Sequence, residues 1–172
     1  MKRSFIIISL LVLCTLCGRA QSLGVFINDT QGPYTNVRNS PKGQIVDKIP
    51  VNSSAMFVVE KPVNGWWSIA GGDYDAILTG DFDNYHLKGS STGYWVHYST
   101  IAVATRNYGG QALPLRSRPS AKATVTFTIK TEQQLRPIDI SGDWVKVKTL
   151  DGRHSGWIEA EWLCGNSVTT CC

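Results

Sequence analysis

The sequence predicts an all-β protein made of two small β-barrels in tandem. Helix periodicity is nearly absent, because no long window places apolar residues at i, i+3, i+4 and i+7. Short alternating runs dominate instead, and Gly, Pro, Asn and Asp separate them, which is typical of strands joined by turns. A set of these runs also occurs twice along the 172 residues. A repeat of this length indicates two similar modules.

Each copy of the repeat contains three segments in the same order. An apolar-Arg-x-x-Pro segment comes first, then Gly-x-Trp before an alternating strand, then an aromatic-rich strand with another Trp. The segments are 36–41, 65–69 and 93–97 in the first copy, and 114–119, 142–147 and 155–159 in the second. We align Trp67 with Trp144 and Trp95 with Trp157. Because a tryptophan buries about 150–250 Å², all four are predicted to lie in the core.

Alternating runs locate the individual strands. In the first module they cover 55–60, 66–70 and 94–97, and in the second 124–129, 134–138 and 144–148. Asp151-Gly152 predicts a tight hairpin between the last two strands of the second module. The linker at 102–111 contains a turn signal and is also a candidate for the first strand of the second module.

These observations give a domain plan. Residues 1–20 are predicted to be a signal peptide, 21–102 the first module, 103–165 the second, and 166–172 a cysteine-containing tail. The first module has about fifteen extra residues between its last two long strands, which defines an insert at about 71–92. Long inserts are tolerated in hairpin loops and often carry function, so we interpret this insert as a functional loop.

The first twenty residues have the features of a targeting segment. Lys2 and Arg3 precede an apolar run at 5–16, and the small residues around Ala20 suit a signal peptidase. The run is short for a membrane span, although a retained anchor or lipid attachment through Cys14 or Cys17 is an alternative. Cleavage predicts a secreted or periplasmic protein with no membrane segment.

The net charge argues against a nucleic-acid partner. The whole chain has 17 Lys and Arg against 13 Asp and Glu. The targeting segment contains three of the basic residues and no acid, so the mature chain has fourteen against thirteen, a net charge of about +1. Nucleic-acid binding needs a basic stripe, which this balance does not favour.

Three cysteines remain after cleavage, all near the C-terminus. In an oxidising compartment Cys164 is predicted to pair with Cys171 or Cys172, leaving one free thiol. A structural zinc site is not favoured, because four ligands are needed and no histidine is nearby in sequence.

The sequence offers little for catalysis, and we predict no enzyme activity, no cofactor and no metal. A Cys–His site is disfavoured because the cysteines lie in a terminal tail. The carboxylate pairs Asp73/Asp75 and Asp81/Asp83 are interpreted as members of a solvated loop. A calcium site at Asp81, Asp83 and Asn84, or a metal-dependent hydrolase, is the sharper alternative, but the twelve-residue calcium-loop pattern is missing.

The repeat resembles the bacterial SH3-type domain. In the first module the resemblance rests on Thr35-Asn36-Val37-Arg38-x-x-Pro41, Gly65-x-Trp67 and Gly93-Tyr94-Trp95-Val96-His97, and in the second on the matching segments. It covers most of 25–164 and implies two small SH3-like barrels in an exported protein. It also implies binding of cell-wall peptides or protein partners. The insert and the cysteine-rich tail depart from the family pattern.

The aromatic residues are the best candidates for ligand contact. Exposed aromatics beside a groove are how small modules hold peptides and sugars. The predicted ligand-binding residues are Trp66, Tyr74, Tyr85, Tyr94, His97 and Tyr98. The alternative is that Tyr85 and Phe82 fold the insert back onto the barrel as a small additional core. The predicted partner is a cell-wall (peptidoglycan) peptide or glycan. A protein contacted through the insert, as in an inhibitor, is the second hypothesis.

Overall fold

The computed structural model describes residues 21–77, 82–168 and 171. Within them the chain forms β-strands and three short 3-10 helices, which confirms the all-β prediction. The predicted signal peptide, Asp81 and Cys172 lie outside the described residues.

The strands follow the alternating runs of the sequence. In chain order they are β1 Ser22–Ile27, β2 Tyr34–Arg38, β3 Ile45–Pro50, β4 Met56–Val63, β5 Trp66–Ile69, β6 Asp73–Ile77, β7 Phe82–His86, β8 Trp95–His97, β9 Ile101–Thr105, β10 Leu113–Arg116, β11 Val125–Ile129, β12 Gln134–Ser141, β13 Trp144–Thr149, β14 Ser155–Glu159 and β15 Leu163–Cys164. The 3-10 helices are Val51–Ser53, Tyr98–Thr100 and Ala160–Trp162. All six predicted runs form strands, with bounds that shift by up to three residues.

The strand pairings repeat along the chain. β2 pairs with β3 and β8, and β5 pairs with β4 and β8; likewise β10 pairs with β11 and β14, and β13 pairs with β12 and β14. β1 pairs with β4, while β9 pairs with both β12 and β1. β9 therefore connects the two halves, and the predicted boundary at 102/103 lies within it.

The alignment of Trp67 with Trp144 is wrong by one residue. Trp67 has no exposed surface, but Trp144 is half-buried, and its neighbour Val145 is the fully buried residue. The turn before β5 is Asn64-Gly65, with positive φ at both positions, whereas the turn before β13 is Gly142-Asp143, with positive φ only at the glycine. The glycines thus occupy different turn positions, as in type I′ and II′ hairpins. An alignment that matches the two glycines shifts β5 against β13 by one residue. Such a shift matches the buried face of one strand with the outer face of the other.

The prediction of a buried pair at Trp95 and Trp157 is also wrong. Both side chains are half-buried, and the next residue in each strand, Val96 or Ile158, fills the core. Trp95 lies opposite Arg38, and Trp157 opposite Arg116. Adjacent side chains along a strand lie on opposite faces of the sheet. Because Val96 and Ile158 face the core, their neighbours Trp95 and Trp157 face the other side.

The two halves share one continuous hydrophobic core. The Trp67 indole Nε1–H donates to the backbone oxygen of Pro137 on β12 at 3.0 Å. Arg136 of the same strand donates to the backbone oxygens of Asn28 at 2.7 Å and Ile101 at 2.8 Å, and to the Asn28 Oδ1 at 2.8 Å. These hydrogen bonds join the two halves through the side chains of Trp67 and Arg136.

The insert is a β-hairpin rather than the solvated loop that the sequence indicated. β6 pairs with β7 along its length and also meets β4, where Met56 lies opposite Asp75. Ala76 and Leu87 are buried in the core, so this hairpin contributes to folding. Its replacement by a tight turn would therefore remove core residues.

The turn between β13 and β14 is longer than the predicted two-residue hairpin. It is closed by hydrogen bonds from the Thr149 N–H to the His154 oxygen and from the Gly152 N–H to the Thr149 oxygen, both at 2.9 Å. Gly152 has a positive φ of 74°, a conformation that suits glycine. Asp151-Gly152 therefore marks the turn correctly but not its length.

The C-terminal segment is fixed to the rest of the chain. Cys164 forms a disulfide with Cys171, one of the two predicted pairings. Gly165 packs so closely against Gly24 of β1 that a Cβ at this position would overlap the Gly24 backbone. No helix within the described ranges is long and apolar enough to span a membrane.

Candidate functional site

A groove crosses the first half of the chain beside Trp66. It encloses about 380 Å³, and we call it the Trp66 groove. Its lining comes from the β1–β2 loop, β2, the β2–β3 turn, β5, the end of β8 and the 3-10 helix Tyr98–Thr100. The lining residues are Asp29, Gln31, Asn36, Arg38, Lys42, Trp66, His97 and Thr100.

Strand alternation places Trp66 in the groove. Trp67 points into the core, so its neighbour on β5 faces the other side, where it is half-buried. The Arg38 guanidinium lies 5.7 Å from the centroid of the Trp66 ring, within the range of a cation–π contact. One Arg38 nitrogen, Nη1, also donates to the Gly43 oxygen at 2.6 Å. The groove floor is therefore an aromatic surface with a fixed positive charge beside it.

The β1–β2 loop forms an ordered wall of the groove. The Asp29 carboxylate accepts hydrogen bonds from the Gln31 N–H at 2.9 Å and the Thr35 hydroxyl at 3.1 Å. Asn28, which precedes this wall, donates its N–H to the Thr100 oxygen. Arg136 and Gln134 of the second half form hydrogen bonds with Asn28, so the second half holds the β1–β2 loop in position.

His97 closes the groove next to Trp66. The two rings are 5.1 Å apart between centroids and tilted by 60°. His97 Nδ1 lies 2.8 Å from the Ser99 hydroxyl oxygen, which fixes the ring at the start of the 3-10 helix. Burial lowers the pKa of His97 below its ordinary value of 6.5, because the charged imidazolium loses solvation.

This lowered pKa predicts a pH dependence of stability. The unfolded chain binds a proton at His97 more readily than the folded chain does, so stability should fall as the pH drops through about 6.5. We expect NMR titration of the imidazole to give a pKa below 6.5 for His97. Unfolding of His97→Gln should lack this component of the pH dependence. A measured pKa at or above 6.5 would contradict the prediction.

The predicted ligand-binding residues fall into two groups. Trp66 and His97 line the groove, and Tyr98 lies beside them with its ring 4.5 Å from His97. The others surround the insert hairpin instead: Tyr74 and Tyr85 stack at 5.1 Å between centroids, and the Tyr94 hydroxyl donates to the Leu87 oxygen. All four tyrosines pack against the core. The insert tyrosines thus pack the hairpin against the core, as the alternative interpretation held for Tyr85, whereas Phe82, the other residue of that interpretation, has 54% of its surface exposed.

Burial also changes the titration of one insert tyrosine. The pKa of Tyr74 is raised above 10.0, first by burial and then by the negative charge of Asp47 and the neighbouring Tyr85. Tyr74 therefore stays protonated well above neutral pH, which is in keeping with its place in the hairpin packing.

Several lining residues were not anticipated. Arg38 and its counterpart Arg116 each donate to a backbone oxygen of the adjoining turn, that of Gly43 and Ala123 respectively. Arg38 has the further contact with Trp66. Asp29, Gln31 and Lys42 gave no sequence signal, since single polar residues in turns are common.

The acidic side chains of the insert that the structure describes do not converge on a metal site. Asp73 contacts the His86 imidazole, and Asp83 and Asn84 lie exposed on β7. Asp81 falls outside the described residues. Across 21–77, 82–168 and 171, no three His, Cys, Asp or Glu side chains are close enough to hold a metal ion.

The second half has a differently charged groove at the matching position. It encloses about 390 Å³ and is lined by Asp143, Trp144, Glu159, Ala160 and Glu161. Trp144 lies opposite Glu159, just as Trp66 lies opposite His97. The repeat therefore keeps the tryptophan but replaces the imidazole with a carboxylate.

Comparison with known proteins gives one family match. Among solved structures, NlpC1 from Trichomonas vaginalis aligns at a TM-score of 0.32 and 11% identity, over 91% of this chain and 50% of that one. NlpC2 from the same organism aligns at 0.31 and 10%, over 84% and 48%. The chain thus spans about half the length of each. A search of curated proteins gives no significant match. Residues 111–163 match the family model for the bacterial SH3 domain.

Proposed function

We propose that this chain is an extracytoplasmic binding protein, without catalytic activity, that holds a peptide of the bacterial cell wall in the Trp66 groove. In this proposal it consists of two SH3-like modules that share β9. The bacterial SH3 domain at 111–163 supports a cell-wall-associated role. The Cys164–Cys171 disulfide supports an oxidising compartment.

The observation that carries the proposal is the combination of side chains around Trp66. An indole face can pack against an apolar peptide or sugar surface, and Arg38 and Lys42 can bind a carboxylate. Asp29, Gln31 and Asn36 add hydrogen-bonding groups for a peptide backbone. Wall stem peptides offer free carboxylates and backbone amides, which are the groups that this lining can recognise.

Binding of the mature chain to purified insoluble peptidoglycan tests this function. We expect Trp66→Ala to weaken binding about tenfold or more, the effect of losing about 1.4 kcal/mol at a contact residue. Trp144→Ala is the matched control, because it removes the corresponding tryptophan from the acidic groove. Thermal melting of both variants checks that they fold.

Two outcomes would count against the proposed site. Equal wall binding by wild type and Trp66→Ala would place the site elsewhere. If the chain instead bound a purified extracytoplasmic protein and did not bind the wall, the second candidate, an interaction or inhibitor protein, would be favoured. That candidate is favoured by one observation: Phe82, at the start of β7, has 54% of its surface exposed.

A further inference from the structure

The turn between β2 and β3 has a strained backbone at a residue that lines the Trp66 groove. The Gly43 N–H donates to the Ser40 oxygen at 2.9 Å, which closes a β-turn with Pro41 and Lys42 at its centre. Lys42 has a positive φ of 60°. Proline followed by a positive φ is the pattern of a type II turn, in which glycine or asparagine is preferred at the second central position. Lysine is therefore a residue that the turn itself does not favour.

The corresponding turn of the second half has no such strain. Arg116 follows Arg38 by 78 residues, and the same shift places Ser120 at the position of Lys42. All residues at 117–123 are described, and none of them has a positive φ. The repeat can therefore form this turn without a left-handed lysine. Strained residues are often retained where they serve a site, and Lys42 lines the groove.

The groove contains two positive charges that no carboxylate of the described residues neutralises. Neither Arg38 nor Lys42 has an acidic side chain within ion-pair distance in that part of the chain. The Asp29 carboxylate also lines the groove, but it accepts hydrogen bonds from the Gln31 N–H and the Thr35 hydroxyl. The two cations are therefore available to an anionic group of a ligand, and such charge-assisted hydrogen bonds are the strong ones.

We propose that the Trp66 groove selects peptides that end in a free carboxylate, and that Lys42 determines this preference. The inference rests on the proposed function, since it specifies which wall peptides the groove accepts. The Lys42 ammonium binds the terminal carboxylate. Arg38 adds further donors, because its Nη1 binds the Gly43 oxygen and a guanidinium has several other N–H groups. A peptide that ends in a neutral amide leaves both cations without an anionic partner.

The groove of the second half provides an internal comparison. Its lining places Asp143, Glu159 and Glu161 around Trp144, and the described lining contains no lysine or arginine. Carboxylates repel another carboxylate, so this groove should reject the peptide end that the Trp66 groove accepts. The repeat thus presents the same aromatic side chain with opposite charge around it.

NMR titration with two synthetic peptides tests the proposal. Both peptides are N-acetylated and end in D-Ala-D-Ala, one with a free carboxylate and the other with a carboxamide. We expect the indole N–H signal of Trp66 to shift on binding, and the carboxylate form to bind about tenfold more tightly or better. Added salt should weaken binding of the carboxylate form more than that of the amide.

Lys42→Gly separates peptide binding from turn formation. Glycine suits the positive φ, so this variant should melt no lower than the wild type and yet lose most of the preference for the carboxylate. Lys42→Asn should behave in the same way, because asparagine tolerates this conformation and is uncharged. Lys61→Gly is the matched control. Lys61 also has a positive φ, of 51°, but its side chain is 76% exposed and pairs with Glu60 instead of lining the groove. It should leave the preference unchanged.

Three results would overturn the proposal. They are equal affinity for the two peptides, binding of neither peptide, and a preference for the carboxylate that persists in both Lys42 variants. A fall in melting temperature of both variants, together with loss of binding, would also overturn it by making Lys42 a residue of the turn. The proposed function fails by a different result, which is equal binding of wild type and Trp66→Ala to insoluble peptidoglycan.

Discussion

Replacement of Trp67 by alanine is expected to lower the free energy of unfolding by about 3–5 kcal/mol, the usual cost of removing a buried aromatic side chain. Trp67 has no exposed surface and is the largest of the fully buried side chains. The change would also leave the Pro137 oxygen on β12 without the indole donor that now reaches it at 3.0 Å. Urea unfolding monitored by circular dichroism measures the effect.

Trp144→Ala is the control for this experiment. Trp144 begins its strand at the position of Trp66 and is only half-buried, so its loss should cost clearly less than the loss of Trp67. Trp67→Phe separates the hydrogen bond from the packing, because phenylalanine keeps an aromatic ring but has no N–H. A Trp144→Ala cost equal to that of Trp67→Ala would show that the core does not depend on the register described above.

The fold class could be predicted because it depends on patterns that extend over many residues. Alternation along runs such as 134–138 and 144–148 fixes the strands, and turn residues fix their ends. Which face of a strand is buried changes with a shift of one residue. At Trp66-Trp67 the sequence did not decide which of the two tryptophans faces the core. The shift of 78 residues that relates Arg38 to Arg116 also relates Trp66 to Trp144. The Arg-x-x-Pro segment was therefore a better guide to register than the turn glycines.

The groove could be predicted only in part. Trp66 and His97 were found from alternation and from their aromatic character, and both do line the groove. Asp29, Gln31 and Lys42 were missed because they lie in turns, where polar residues are expected for local reasons. Their approach to Trp66 depends on contacts such as Arg136 to Asn28, which joins residues 108 positions apart. Sequence spacing carries no signal for such a contact.

The structure of the insert could not be predicted from the sequence either. Its glycines and aspartates indicated a loop, yet 73–77 and 82–86 pair as a hairpin. Tyr74 and Tyr85 alternate with polar residues over only a few positions, too short a run to separate a strand from a loop. Tertiary packing against β4 supplies the stability that such a short hairpin lacks alone.

Arg136→Met is expected to lower the free energy of unfolding by about 3 kcal/mol, since it removes several hydrogen bonds from a charged donor at once. The guanidinium binds the backbone oxygens of Asn28 and Ile101 and the side-chain oxygen of Asn28. Burial lowers the pKa of Arg136, while Asp29 and Tyr98 raise it, and an arginine so placed remains charged. Methionine keeps most of the apolar stem but supplies no donor.

The effect should also reach the Trp66 groove. Asn28 directly precedes Asp29 and donates to Thr100, and both of these residues line the groove. The NMR signal of the Trp66 indole N–H should therefore shift in Arg136→Met, with its assignment confirmed by Trp66→Phe. Arg136→Lys should restore only part of the stability, because an ammonium group cannot match the fork that binds both Asn28 and Ile101.

Arg153→Met is the matched control for Arg136→Met. The Arg153 side chain is 80% exposed and pairs with Asp151 in its own turn, so its loss should change stability by no more than about 0.5 kcal/mol and leave the Trp66 signal in place. If Arg136→Met unfolded like the wild type, the second half would not be supporting the groove wall. A loss of stability with an unchanged Trp66 signal would instead show that Arg136 joins the two halves but does not shape the groove. The combined result therefore decides whether the groove of the first half depends on the second half for its shape.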